Sequence, residues 1–206
     1  MKKICLLNGS LRGKDSSSLQ FLNRVSANMG ANDFQIDRLT VPAGLNGHSS
    51  TETLAVMADA DVLVVAFPLF YYTLPGVITQ LLEDFGHQIQ NGGCHNKRMK
   101  VYAIVNCGFP EPRINEEAIR VMKNFCARLG LVYGFSIAIG TGPVTVMTIK
   151  APFLNRRLKR AFRRMVDDMK IDTAGPREDV FIKPAIPKSI ILRIKDRFEE
   201  KTKTLR

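Results

Sequence analysis

Cysteine and long apolar runs are both scarce in this 206-residue chain, and each shortage excludes a class of protein. The four cysteines stand far apart and form no Cys-x-x-Cys pair, so the sequence offers neither a zinc site nor a dithiol redox motif. Isolated cysteines are typical of reduced thiols in the core of a cytoplasmic protein. We therefore expect a cytoplasmic location and no bound metal.

No apolar stretch reaches the roughly 18 residues that a membrane span requires. Two lysines near the N-terminus resemble the start of a signal peptide, but the apolar run that follows ends at Asn8 and Gly9. Histidine is also scarce, and we assign no chemistry to His48, His87 or His95. A chain of this length with 45% hydrophobic residues can form one well-packed domain.

Positive charge is in excess, and most of the excess lies in one part of the chain. The formal net charge is +11, and residues 150–206 hold 17 Lys and Arg against 8 Asp and Glu. A helix predicted over 152–170 has an apolar stripe and a basic face, which favours a helix that covers a sheet and exposes its cations to solvent. A surface for nucleic acid or for an anionic membrane is the alternative.

A change of composition near residue 175 predicts two parts, a domain over 1–170 and an extension over 171–206. Prolines keep the start of the extension extended, and an amphipathic basic helix capped by Ser189 follows. We favour docking of this helix on its own domain. An arm to a second subunit and a peripheral membrane contact are the alternatives, and we do not expect nucleic-acid binding.

Strand-like and helix-like segments alternate along the first 170 residues. Short β-rich runs predict five strands, over residues 3–9, 34–41, 61–67, 99–107 and 131–139. Apolar periodicity predicts five helices, over residues 17–29, 50–57, 76–90, 115–128 and 152–170. This alternation is typical of a parallel sheet with helices on both faces, here in the order 2-1-3-4-5. Such a sheet binds ligands beyond the carboxyl ends of its strands.

The loop between the first strand and the first helix has the composition of an anion site. Gly9 and Gly13 flank Arg12, a permanent cation suited to phosphate, and the serines at 16–18 offer hydroxyl groups at the start of the helix. The glycine spacing fits neither Gly-x-Gly-x-x-Gly nor a P-loop, and Asp15 stands where a P-loop has its hydroxyl. We therefore predict a monophosphate site, with an ordinary serine-rich helix cap as the alternative.

Two further loops are expected at the same edge of the sheet. Residues 67–76 hold three consecutive aromatic residues between Pro68 and Pro75, which suits a flat ring system or its stacking partner. A core plug or a dimer contact is the alternative for these aromatic side chains. After the fourth strand, Gly108 lets backbone N–H groups come close to a planar ligand.

Together the three loops resemble those of the flavodoxin-like NAD(P)H-dependent FMN reductase family, over roughly residues 1–145. The motifs that carry the resemblance are Gly9-Ser10-x-Arg12 with Ser16-Ser17-Ser18, Pro68-x-Phe70-Tyr71 with Leu74-Pro75-Gly76, and Cys107-Gly108-Phe109. In the family they lie, in that order, at the FMN phosphate, beside the isoalloxazine and over its pyrimidine edge. The resemblance implies a flavodoxin-like three-layer sandwich that binds FMN non-covalently. The residues it assigns to the cofactor are Ser10, Arg12, Ser16, Ser17, Ser18, Pro68, Leu69, Phe70, Tyr71, Asn106, Cys107, Gly108 and Phe109.

The resemblance also implies a reaction, in which hydride passes from NAD(P)H to FMN and then to a small-molecule or flavin- or quinone-like acceptor. We assign no catalytic side chain because the flavin carries the chemistry. Relatives are often oligomeric, so we expect a homo-oligomer. The chain lacks the cysteine cluster of the family's iron–sulfur branch, and its basic charge argues against an acidic electron carrier. A flavodoxin-like carrier, and a flavin-free scaffold whose basic tail binds an anionic partner, remain the alternatives.

Overall fold

The computed structural model describes residues 1–30, 32–41, 50–92, 98–148, 155–172 and 177–183. Its strands are β1 (Lys2–Asn8), β2 (Phe34–Thr40), β3 (Val62–Pro68), β4 (Lys100–Asn106), β5 (Val132–Ile139) and β6 (Val180–Ile182). All neighbouring strands pair in parallel, in the order β2-β1-β3-β4-β5-β6. The predicted order of the first five strands is confirmed. The sixth strand was not predicted, because three residues are too few to show a period.

Within the described ranges, six α-helices connect the strands and cover the sheet. They are α1 (Ser17–Ser26), α2 (Thr51–Ala58), α3 (Gly76–Gln90), α4 (Glu116–Leu129), α5 (Gly142–Thr148) and α6 (Arg156–Lys170). The prediction missed α5, since its Gly-Pro start is typical of a loop. It also extended α1 to residue 29, whereas the helix ends three residues earlier. The predicted start of α6 at 152 lies outside the described residues.

The sheet separates two apolar clusters, which gives the three-layer sandwich that was predicted. Helices α3 and α4 pack through Leu81, Phe85 and Met122 on one face, whereas α1 and α6 pack through Phe21 and Phe162 on the other. The central strand β3 is buried from its first residue to Phe67, as expected for a parallel strand covered on both sides. The loops at the strand ends are therefore held by a rigid core.

A buried polar cluster closes the amino edge of the sheet. Asp168, near the end of α6, accepts a hydrogen bond from the Tyr102 hydroxyl (2.8 Å) and pairs with the Arg177 guanidinium (2.7 Å). The Lys100 ammonium donates to the main-chain carbonyls of Asp168 (3.2 Å) and Ile171 (2.6 Å). Burial, reinforced by Asp168, raises the pKa of Tyr102, and burial lowers the pKa of Lys100. These partners fix α6 and the segment before β6 to the sheet.

The predicted division at residue 171 stays a prediction, although β6 lies beyond it and pairs with β5. The predicted basic helix of the extension lies outside the described residues. Cys5, Cys107 and Cys126 are buried free thiols, and burial raises the pKa of Cys5 and of Cys126 to about 12. Among the described residues, no helix is long and apolar enough to cross a bilayer.

Candidate functional site

A crevice opens at the carboxyl edge of the sheet, where the strand order reverses between β1 and β3. From β1 the chain continues to β2 on one side, while β3 to β6 follow on the other. Loops leaving β1, β3 and β4, and the start of α5 after β5, surround a cavity of about 250 Å³. Topological reversal points of this kind are where open α/β sheets bind ligands.

The loop after β1 is shaped by the buried side chain of Asn8. The Asn8 amide donates to the Gly13 carbonyl (3.1 Å), and its oxygen accepts from the Ser10 N–H (3.2 Å). The Ser16 hydroxyl lies 2.8 Å from the Gly13 carbonyl and accepts from the Leu19 N–H (3.1 Å), so Ser16 caps α1. The Ser16 hydroxyl is thus engaged within the protein, and its assignment to a ligand stays a prediction.

The first turn of α1 lies beside the cavity and, in the described part of the chain, has backbone N–H groups without a hydrogen-bond acceptor. The Ser16 hydroxyl accepts from the Leu19 N–H, and the Ser16 carbonyl accepts from the Gln20 N–H. The N–H groups of Ser17 and Ser18, the first two residues of α1, have no acceptor among the described residues. Both serines line the cavity, together with the exposed Arg12. The cavity is thus bordered by Arg12 and by the first two residues of α1, at the positive end of the helix dipole, an arrangement that favours an anion.

Asn106, at the end of β4, supports the Ser18 side of the cavity. Its amide nitrogen donates to the Ser18 hydroxyl oxygen and to the Phe67 carbonyl, both at 3.0 Å. The Ser18 hydroxyl accepts this bond, so its own proton remains available to a ligand. A Cβ atom at Gly142 would stand 2.5 Å from the Asn106 oxygen, so the start of α5 must be a glycine for Asn106 to keep this position.

The loop after β3 carries exposed aromatic side chains on a tight turn. The N–H groups and carbonyls of Phe70 and Thr73 bond each other in both directions, at 2.9 and 3.0 Å. Between them, Tyr71 (φ 45°) and Tyr72 (φ 65°) adopt the left-handed conformation that normally selects Gly or Asn. Phe70, Tyr71 and Tyr72 are 55%, 86% and 60% exposed, and the first two rings meet edge to face. The backbone is strained here, and large apolar side chains are held in solvent.

The loop after β4 uses its cysteine internally. Cys107 is buried and its thiol donates to the Phe109 carbonyl at 3.4 Å, and the Asn115 amide lies 3.5 Å from the sulfur. Burial raises the pKa of Cys107. Gly108 and Phe109 are exposed, and the Phe109 carbonyl accepts from the Thr141 N–H (2.7 Å), which joins this loop to the one after β5.

The structure brings seven of the predicted cofactor residues together around the cavity, namely Ser10, Arg12, Ser17, Ser18, Pro68, Phe70 and Asn106. The other six lie in the same loops without lining it, namely Ser16, Leu69, Tyr71, Cys107, Gly108 and Phe109. Their contact with a cofactor stays a prediction. Leu11, Pro75 and Pro143 also line the cavity, although the sequence analysis did not assign them to the cofactor and named Pro75 only as part of a loop motif. Pro143 follows β5, and in a parallel sheet every loop that follows a strand lies at the carboxyl edge. The predicted sheet could therefore have placed Pro143 at this site.

A second cavity, of about 490 Å³, lies between α3 and α4, away from the strand ends. It is lined by apolar side chains such as Leu82 and Phe125, with Glu83 and His87 among its polar residues and Arg128 as its cation. It lacks the convergent anion donors of the crevice, so we place the candidate site at the strand ends. Within the described ranges, no three His, Cys, Asp or Glu side chains come together as a metal site.

Known proteins resemble this chain in fold, but none was found to be related to it in sequence. No protein-family model and no curated protein sequence matches the chain. An NADH:FMN oxidoreductase in its apo form matches with a TM-score of 0.64 at 14% identity, over 85% of this chain and 92% of that one. General stress protein 14 from Treponema denticola, in complex with FMN, matches at 0.59 and 14%, over 82% and 99%. An NAD(P)H:quinone oxidoreductase from Methanothermobacter marburgensis matches at 0.57 and 14%, over 80% and 96%.

These likenesses confirm the flavodoxin-like fold that the sequence predicted. They match at the level of the fold, and one of the matched structures holds FMN. The cofactors and reactions named for those structures are properties of those proteins.

Proposed function

We propose that this chain is an FMN-dependent oxidoreductase that takes hydride from NAD(P)H and passes it to a small-molecule acceptor. The observation that carries the proposal is the cavity at the reversal point of the sheet, with unpaired anion donors on its α1 side and exposed aromatic side chains beside it. The matched solved structures include an NADH:FMN oxidoreductase and a protein in complex with FMN, which supports the same reading.

The α1 side of the cavity fits the phosphate of FMN. The Ser17 and Ser18 N–H groups and the Ser18 hydroxyl can each donate to a phosphate oxygen, and Arg12 supplies a compensating charge. A single phosphate suits this donor set, since only three residues separate Gly9 from Gly13 and Asp15 follows Lys14 at the place where a P-loop has the hydroxyl that binds its metal.

The opposite side fits the ring system. Pro68, Phe70 and Pro75 give the cavity rigid apolar walls, and the cavity volume of 250 Å³ lies below the roughly 300–1,000 Å³ of a site that encloses a whole ligand. A molecule as large as FMN therefore extends out of it. One face of the ring would then stay open to a nicotinamide and, in turn, to an acceptor.

Bound FMN supplies the chemistry, because its ring accepts a hydride and gives it up again. The chain's own task is to hold and orient the ring and to limit the access of water. Phe70 lines the cavity while Tyr71 and Tyr72 stand in solvent beside it, so these aromatic side chains are placed to stack with a flat substrate. We infer that the acceptor is flat, of flavin or quinone type, and that Tyr71 and Tyr72 contribute to its binding.

We propose a cytoplasmic homo-oligomer, and the apolar groove between α3 and α4, with the exposed Val121 at its rim, is the face that would be covered in it. Light scattering of the purified full chain measures the mass directly, and a monomer at all concentrations would overturn this part.

Reconstitution tests the function. The purified chain is incubated with FMN, desalted, and mixed with NADH or NADPH under anaerobic conditions while the flavin absorbance is followed. Retained flavin that is bleached by a nicotinamide, and recovers on addition of a quinone, is the expected result. Retained flavin that no nicotinamide reduces would favour an electron carrier, and a chain that never retains flavin would favour the scaffold.

A further inference from the structure

We propose that the exposed basic side of α6 binds an anionic phospholipid surface. This side, called here the α6 cationic face, comprises Arg156, Arg157, Lys159, Arg160, Arg163 and Arg164. The binding does not depend on the flavin, so it goes beyond the function proposed above.

The α6 cationic face is a concentration of one charge within nine consecutive residues. No acidic residue interrupts it, and Asp167 and Asp168 come only in the last turn. All six cations are exposed except the half-buried Lys159, whereas Leu158, Phe162 and Met165 are buried against the sheet. The apolar side of the helix is thus occupied by the sheet and the cations lie on the other side, where the Arg164 guanidinium packs over the Phe135 ring at 4.8 Å.

This charge pattern opposes the stability of the helix that carries it. Cations are unfavourable near the positive end of a helix dipole, and like charges three or four residues apart, such as Arg156 with Arg160 and Lys159 with Arg163, repel. Helix α4, on the other side of the sheet, has the favourable pattern, with Glu116 and Glu117 in its first turn. A helix whose only role was to cover a sheet would be more stable with acidic residues in its first turn, as in α4.

Four of the six cations of the face have no acidic partner among the described residues. Arg157, Lys159, Arg160 and Arg163 form no ion pair with any residue that the structure describes. On α4, by contrast, Arg120 pairs with Glu117. These four cations are therefore available to an anionic partner.

A shallow cleft beside α6 gathers three cations. Lys159 and Arg163 from α6 and Arg24 from α1 line a cavity of about 230 Å³ between the two helices. Lysine and arginine side chains bind phosphate through charge-assisted hydrogen bonds. The cleft therefore suits the headgroup of an anionic lipid.

Apolar neighbours favour a lipid surface over a nucleic acid. Met147 on α5 is 65% exposed, and the Thr148 carbonyl beside it accepts a hydrogen bond from Asn155 (2.7 Å) at the start of α6. An exposed apolar side chain on the helix that adjoins the start of a basic helix suits a surface that rests on a bilayer. The described residues of α6 offer no exposed aromatic ring for stacking with bases, since Phe162 is buried.

Vesicle binding tests the proposal on the full chain. Co-sedimentation with phosphatidylcholine vesicles is compared with that for vesicles that also contain phosphatidylserine. We expect binding only to the anionic vesicles, and a loss with rising salt. Each cation near the surface contributes about a fivefold gain in partitioning, so Arg160→Gln with Arg163→Gln should reduce it by about 25-fold.

The matched control removes the same charge from α4, as Arg120→Gln with Arg128→Gln, and should change partitioning much less. Circular dichroism verifies that both double variants are folded. Equal losses in the two double variants, or no loss from α6, would overturn the proposal. So would a labelled oligonucleotide that binds the α6 face at a salt concentration where the anionic vesicles do not.

Discussion

The two edges of one sheet use their polar groups in opposite ways. At the amino edge, Asp168 and Tyr102 are buried and bonded to each other, and Asp168 also pairs with Arg177. At the carboxyl edge, the N–H groups of Ser17 and Ser18 have no acceptor among the described residues. Polar groups that have hydrogen-bond partners stabilise the fold, whereas polar groups without partners beside a cavity can bind a ligand. The difference therefore distinguishes the structural edge of the sheet from the edge that holds the candidate site.

Backbone strain follows the same division. Among the described residues, the non-glycine positions with positive φ are Tyr71, Tyr72 and Thr141, and all three lie in loops at the carboxyl edge. Each costs of order 1–3 kcal/mol and persists only where the surroundings impose it. The comparison predicts that changes at the amino edge affect mainly stability and that changes at the carboxyl edge affect binding, with a gain in stability where they relieve strain.

Loss of the Asp168 carboxylate should have the largest effect. Asp168→Ala leaves the buried Tyr102 hydroxyl without an acceptor and Arg177 without its partner, so the free energy of unfolding should fall by about 2–4 kcal/mol. Urea denaturation measures the change. The exposed neighbour variant Asp167→Ala is the control and should lie within about 0.5 kcal/mol of the wild type. If Asp168→Ala weakened FMN binding of the folded protein instead, the two edges would not be separable.

A methyl group at Gly142 should act mainly on the site. In Gly142→Ala the new Cβ would stand 2.5 Å from the Asn106 oxygen and displace the side chain that supports Ser18. FMN affinity should fall by about tenfold, which corresponds to about 1.4 kcal/mol, as measured by quenching of flavin fluorescence. Gly76→Ala, where a Cβ meets no atom within 4 Å, provides the control. Equal affinities for the two variants would remove Asn106 from the supporting role.

Relief of strain at the aromatic turn should separate stability from activity. Tyr72 has a φ of 65°, so Tyr72→Gly should raise the free energy of unfolding by about 1 kcal/mol. The same change removes a stacking surface and should raise the KM for a quinone acceptor more than the KM for the nicotinamide.

Tyr72→Phe is the matched control because it keeps both the ring and the strain. It should leave stability and both KM values near those of the wild type. A Tyr72→Gly variant that was more stable and fully active would show that the turn is not part of the acceptor site.

The fold was predictable because its signals are repetitive. Buried runs such as residues 62–67 and the amphipathic period of α4 each supply several residues of agreeing evidence. The strand β6 and the helix α5 offer too few residues for that, and Gly142 with Pro143 reads as a loop. Short elements of this kind form because they pair with or pack against a sheet that is already folded. Their own residues therefore show no pattern from which they could be predicted.

The site was predictable in part, for a related reason. Residue type pointed to Arg12 and the serine run, but three identical serines conceal different environments. The Ser16 hydroxyl caps α1, whereas Ser18 receives a bond from Asn106, a residue 88 positions further along the chain. Tertiary contacts of that kind decide which donors remain free, and a sequence pattern does not contain them.

The central claim is that the α1 side of the crevice binds the phosphate of FMN, and the affinity ratio of FMN to riboflavin measures this directly. The wild type should prefer FMN strongly, and Arg12→Ala should reduce that preference by about 10–100-fold, since a hydrogen bond to a charged group is worth about 1.5–3 kcal/mol. Lys14→Ala, in the same loop but outside the cavity lining, should keep the ratio. Equal affinity of the wild-type chain for FMN and riboflavin would contradict the claim.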